Sequence, residues 1–157
     1  MLVTSVARSG AASSWGVAEV GTVVAEKPDV VLVEFAANDA ALNRFVTPGR
    51  SRANMDAILA RLGAAGMPPR VFVMAMSPVQ GPRGWIRPFL DRYVEEHRRA
   101  AAEAGAGFVD HRPAWERLRP EALQVAIPDG LHPRPADAAR VMVPTLVTAV
   151  SDGRCMP

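Results

Sequence analysis

Asp129 and His132 stand three residues apart in Ile127-Pro-Asp-Gly-Leu-His-Pro133, a loop bounded by proline and turned by glycine. A turn of that length can bring the carboxylate onto the imidazole Nδ1, which fixes the tautomer and leaves Nε2 as a general base, the arrangement acyl transfer uses. The same spacing also occurs in plain helix-entry loops, so the pair alone names no reaction. Asn38, in Ala36-Ala-Asn-Asp39, directly follows an apolar run. Its amide could donate to a developing oxyanion or serve turn chemistry. Gly10, in Ala7-Arg-Ser-Gly10, could offer an unobstructed backbone N–H to the same oxygen or simply accommodate a positive φ.

These residues need elements that carry them to one edge. Asp29-Val-Val-Leu-Val-Glu-Phe35 and Arg70-Val-Phe-Val-Met-Ala-Met76 are short apolar runs rich in β-branched residues, as in parallel strands covered on both faces. Gly107-Phe-Val-Asp110 is a shorter strand, and Leu2-Val-Thr-Ser-Val6 a weaker one. Helical periodicity fills the intervals. Val17, Val20, Val23 and Val24 share a face after Ser14; Met55, Ile58, Leu59 and Leu62 do so after Ser51, which suits an N-cap. Phe89, Leu90, Tyr93, Val94 and His97 follow Pro88, and a last helix covers Pro135 to Val150 with Val141, Leu146 and Val150 inward. Pro78 to Pro88 is a Pro/Gly-rich loop. Alternating strands and helices predict a three-layer α/β domain with a mostly parallel sheet, whose ligands bind at the carboxyl ends of the strands. Gly10, Asn38 and the Asp129–His132 loop all fall at such ends. The reading gives one domain over residues 1–150 and a tail at 151–157.

Val33-Glu-Phe-Ala-Ala-Asn-Asp-Ala40 and Asp129-Gly-Leu-His-Pro133 resemble the third and fifth sequence blocks of the SGNH (GDSL) hydrolases, and Val6-Ala-Arg-Ser-Gly-Ala11 resembles the second. The resemblance covers nearly the whole chain and implies a flavodoxin-like α/β/α sandwich. It implies that Gly10 and Asn38 form an oxyanion hole, and that His132, oriented by Asp129, is general base and then general acid. The implied reaction is hydrolysis of a carboxylic ester or thioester through an acyl-serine, with no metal or organic cofactor. Two departures stand out. Ala36-Ala37 replace the usual glycine ahead of Asn-Asp. The Gly-Asp-Ser block is absent, so no nucleophile is carried over and the first strand of the family is missing. The expectation is therefore an N-terminally incomplete hydrolase with little or no activity. Leu2 to Val6 would be poorly anchored, and an unpaired strand edge could pair with a second copy. Ser9, Ser13 and Ser14 read as turn or cap residues rather than replacement nucleophiles.

A non-catalytic relative that keeps an acyl- or glycan-binding pocket is the alternative. A metal-dependent hydrolase using Asp110-His111 with Asp129 and His132 is a weaker one, because no His-x-x-x-His or cysteine pair fixes a geometry. Trp85, in the Pro/Gly loop, could line a substrate path, and Arg83 and Arg87 there could meet an anionic substrate group or simply lie in a solvated loop. His97 reads as a helix-face residue and His111 as a loop residue. Trp15, Trp85 and Trp115 read first as packing residues.

Composition narrows the classes further. The chain has 157 residues, 49% apolar and 22% charged, which fits one globular domain. The formal charge is +2, with Lys27 the only lysine and the arginines scattered, so a nucleic-acid stripe is not expected. No apolar run approaches the ~20 residues of a membrane helix. One cysteine, Cys155, excludes an internal disulfide and is assigned no role. The expected partner is a small acyl ester or thioester, and the chain as given is expected in the cytoplasm.

Overall fold

The computed structural model describes residues 2–152; Cys155 and the end of the predicted tail lie outside them. Three parallel strands form one sheet in the order β1-β2-β3, with β1 at Val30–Val33, β2 at Arg70–Ala75 and β3 at Gly107–Asp110. Val30 to Val33 pair in register with Arg70 to Val73. The α/β class and all three stronger strands follow the apolar runs. Residues 2–8 adopt no regular secondary structure, and Leu2 and Val3 are exposed, so the weak strand at 2–6 does not form. Two compact units make up the chain: residues 1–73 with 89–108, and residues 74–88 with 109–157.

The first unit holds α1 (Ser13–Ala25), β1, α2 (Ala36–Asp39), a 3-10 turn (Leu42–Arg44), α3 (Pro48–Gly63) and α5 (Leu90–Glu103). Its core joins Val20 of α1, Val31 and Val33 of β1, Met55, Ile58, Leu59 and Leu62 of α3, Val73 of β2, and Ala100 and Ala101 of α5. The apolar positions of α3 recur at helical spacing, which is why one face of that helix is buried. Its start differs from the sequence reading. Thr47 is the N-cap, its hydroxyl accepting from the Arg50 N–H at 3.2 Å, and Pro48 occupies the first turn. Ser51 is therefore a buried interior residue and not a cap.

The second unit holds α4 (Gly81–Trp85), α6 (Arg112–Glu116), α7 (Pro120–Ala126) and α8 (Pro135–Asp152). Trp115, Leu123, Ala126, Ile127 and Met142 form its core, with Met76, Leu118, Ala138 and Val141 packed around them. The Pro/Gly-rich stretch is not all loop, since Pro82 in the first turn of α4 supports a short helix. No helix among the described residues is long and apolar enough to cross a membrane.

Candidate active site

The loop after α7 turns back on itself around Asp129. Its Oδ1 accepts from the backbone N–H of Leu131 (2.9 Å) and of His132 (2.7 Å), and its Oδ2 lies 2.7 Å from His132 Nδ1. The carboxylate thus builds the turn and orients the ring at once. These hydrogen bonds, first the His132 N–H, then its imidazole, then the Leu131 N–H, hold the Asp129 carboxyl far below the usual carboxylate range. An anionic Asp129 is acceptor-only, so Nδ1 carries the proton and Nε2 keeps its lone pair. The His132 side chain is 72% exposed, which leaves that lone pair open to an incoming group. Among the described residues no hydroxyl is hydrogen-bonded to it.

The segment before α4 clamps this loop. Gln80 N–H donates to Gly130 O at 2.8 Å, and Ser77 Oγ donates to Leu131 O at 3.2 Å. Gly130 has φ +77°, and a Cβ there would run into the Gln80 carbonyl, so both conformation and space demand glycine. Arg83 Nη2 of α4 reaches 3.9 Å from Asp129 Oδ2. Arg87 is buried, donating to the Arg83 carbonyl, whereas Trp85 is exposed and is not the packing residue the sequence suggests.

The other two predicted residues lie in the first unit and are brought together there. Asn38 sits in α2, and its Nδ2 donates to Ala11 O at 2.9 Å, which sets the amide beside the Gly10 turn. Gly10 has φ +65°, and its N–H meets no acceptor among the described residues. The next residue, Asp39, is buried: Oδ1 accepts from Ser13 N–H at 2.8 Å and Oδ2 from Ser51 Oγ at 2.5 Å. Ser51 Oγ is also 2.8 Å from His97 Nε2, and Asn54 Nδ2 donates to Ser13 Oγ at 2.8 Å. Since the Ser51 proton goes to a carboxylate, His97 must donate through Nε2. Burial lowers the His97 pKa to about 4.

This network is what the sequence reading missed. His97 is fully buried, on the same helix stripe as Leu90, Tyr93 and Val94, and is more than a helix-face residue because it bonds to Ser51. His111 is likewise buried, at the start of α6 with its N–H on Ala75 O at 2.9 Å, and burial lowers its pKa. The described residues contain no cluster of three or more metal-ligating side chains around His111 or His132. Trp115 packs in the core as expected.

Residues 2–139 match the sequence model of the GDSL-like lipase/acylhydrolase family. The chain belongs to that family. Solved structures with the same fold include a lipase/acylhydrolase from Enterococcus faecalis (24% identity, 94% of this chain and 74% of that one, TM-score 0.75). LAE5, an alpha/beta hydrolase from the metagenome of Lake Arreo, is similar at 22% identity over 91% of this chain and 69% of that one (TM-score 0.74). An acetylxylan esterase from Geobacillus stearothermophilus is similar at 20% identity over 90% and 68% (TM-score 0.72). Catalytic mutants of that esterase replace a serine, an aspartate and a histidine, the last two at the spacing seen between Asp129 and His132. No curated protein sequence matches the chain.

Proposed function

We propose that this GDSL-family chain carries the base and oxyanion machinery of an ester or thioester hydrolase of the acyl-serine type. The observation that carries the reading is the Asp129–His132 pair, locked at 2.7 Å with Nε2 open. His132 is general base toward the attacking hydroxyl and then general acid toward the leaving alcohol or thiol, and Asp129 orients it and stabilises the imidazolium. Gly10 N–H and the second Nδ2 proton of Asn38 supply donors for the tetrahedral oxyanion. The matching spacing of the catalytic aspartate and histidine in the acetylxylan esterase supports the same assignment.

Among the described residues no serine hydroxyl is hydrogen-bonded to His132. Ser77 is committed to the Leu131 carbonyl, and Ser13 and Ser51 are buried in the Asp39 network. The nucleophile is unassigned, and these 157 residues by themselves turn over esters orders of magnitude below a complete triad. That favours, as a second reading, binding of acyl esters without turnover. Treatment with a fluorophosphonate, read by intact mass beside His132→Ala, tests both. No stoichiometric adduct, with slow His132-dependent hydrolysis of p-nitrophenyl acetate, is expected. A stoichiometric adduct that needs His132 would show that a resident serine is recruited. Ester binding with no His132-dependent hydrolysis would establish the second reading.

A further inference from the structure

Arg44 ends the 3-10 turn that follows α2, and its guanidinium lies directly against Gly10: a Cβ built on Gly10 would overlap Arg44 Nη2. The turn it covers is the one whose Ala11 carbonyl accepts from Asn38. Three kinds of donor therefore share this spot. They are the Gly10 N–H, the remaining Asn38 Nδ2 proton, and the fork of Arg44.

No acceptor among the described residues answers them. Arg44 is exposed and makes no ion pair or side-chain hydrogen bond among the described residues, in contrast to Arg52, Arg99, Arg134 and Arg140, which all hold carboxylates. Arg8 opens the same turn, its carbonyl accepting from Ala11 N–H at 3.1 Å, and its side chain is also without an acid. Residues 8–13 and 40–47 contain no acidic residue. The nearest carboxylate in sequence, Asp39, has both oxygens engaged in the buried network. The result is a cationic lip on the oxyanion donors that no carboxylate among the described residues pairs with.

We propose that Arg44 is a specificity-determining residue that binds an anion carried by the substrate. The substrate class it selects is esters bearing a carboxylate a few bonds from the scissile carbonyl. The carbonyl oxygen sits on Gly10 and Asn38 while the guanidinium fork takes the carboxylate, a geometry to which its planar donors are matched. This rests on the reading of Gly10 and Asn38 as carbonyl-oxygen donors. Glycine is needed at position 10 for its φ of +65°, whereas a Cβ there would only displace the flexible end of the Arg44 side chain.

Monomethyl succinate and dimethyl succinate share a skeleton and differ by one charge. Each is titrated into the chain while the Gly10 amide and Asn38 side-chain signals are followed by NMR. The monoester is expected to shift both saturably and to bind about tenfold more tightly than the diester, as a charge-assisted pair implies. Arg44→Gln should bring the two to parity, Arg44→Lys should keep part of the preference, and added salt should erode it. Equal binding of both esters, or a preference that survives Arg44→Gln, overturns the proposal. So does a monoester that perturbs Arg44 and leaves Asn38 unmoved. No shift at Gly10 or Asn38 with either ester overturns it together with their assignment as oxyanion donors. Failure of the hydrolase reading alone would instead leave the charge preference intact and remove only the His132-dependent hydrolysis.

Discussion

The Asp39 carboxylate accepts a hydrogen bond from the backbone N–H of Ser13, 2.8 Å away and 26 positions earlier in the chain. Ser13 is the first residue of α1, and Ala12 at the cap position offers no side chain for its orphan donors. Asp39 supplies the cap from elsewhere in the fold, with its charge at the positive end of the helix. Asn38 holds Ala11 in the same way, so consecutive residues of α2 fix the entry to α1 and with it the Gly10 turn.

Asp39→Ala should accordingly cost about 3 kcal/mol or more, because it strands the Ser13 N–H and the Ser51 hydroxyl in the interior. Asp39→Asn should cost less. Its carbonyl can still accept from Ser13, and Ser51 can reverse to accept from the new amide and donate to His97. Urea unfolding of the two variants measures the difference, and equal losses would show that the charge itself is what matters.

His97 makes stability fall in acid. Its folded pKa of about 4 lies below the 6.5 of the unfolded ring, so between those values the unfolded chain binds the extra proton. Stability is complete above pH 6.5 and is lost as pH falls toward 4, with a contribution on the order of 3 kcal/mol. His97→Gln can still donate to Ser51 and cannot titrate. Its stability relative to wild type should therefore rise on moving from pH 7 to pH 4.5, and parallel pH profiles would sink the idea.

The Asp129-x-x-His132 pair was legible because its residues are close in sequence and its geometry is that of a single turn. The strands at Val30 and Arg70 were legible because continuous β-branched runs suit a buried parallel sheet. The Ser51–His97–Asp39 network was not, since it joins positions 12 and 46 residues apart and depends on which helix faces pack. One local signal was overlooked, since Thr47-Pro48 marks a better helix start than Ser51; the sequence does group His97 with Leu90, Tyr93 and Val94, but not with its polar partners. The short helices α6 and α7 carry too few turns to show a period. The closeness of Arg44 to Gly10 has no sequence signature at all.

Asp129→Asn should dismantle the base. Asparagine can present an amide to Nδ1, which favours the tautomer that puts the proton on Nε2, and it gives up the anion that stabilises the imidazolium. The low-field Nδ1 proton signal of His132 should disappear, and His132-dependent hydrolysis should drop by about 10²-fold or more. The same signal should persist in wild type well into acid, since Asp129 is held below the ordinary carboxylate range. Loss of the signal at the pH where free carboxylates protonate would contradict the geometry.

Gly130→Ala separates the shape of the loop from its chemistry. At φ +77° an alanine is strained by about 1–3 kcal/mol, and its methyl meets the carbonyl of Gln80, a residue whose N–H already donates to Gly130 O. Ser77 holds the same loop through the Leu131 carbonyl, so the strain is expected to be relieved by moving the turn. Every group of the dyad survives the substitution, yet the two donors from Leu131 and His132 to Asp129 Oδ1 depend on that turn. Stability should fall by the strain, and the His132 Nδ1 proton signal should weaken and move toward its value in Asp129→Asn. A variant that loses stability but keeps the signal unchanged would show that the hydrogen bond to His132 forms independently of the Gly130 turn.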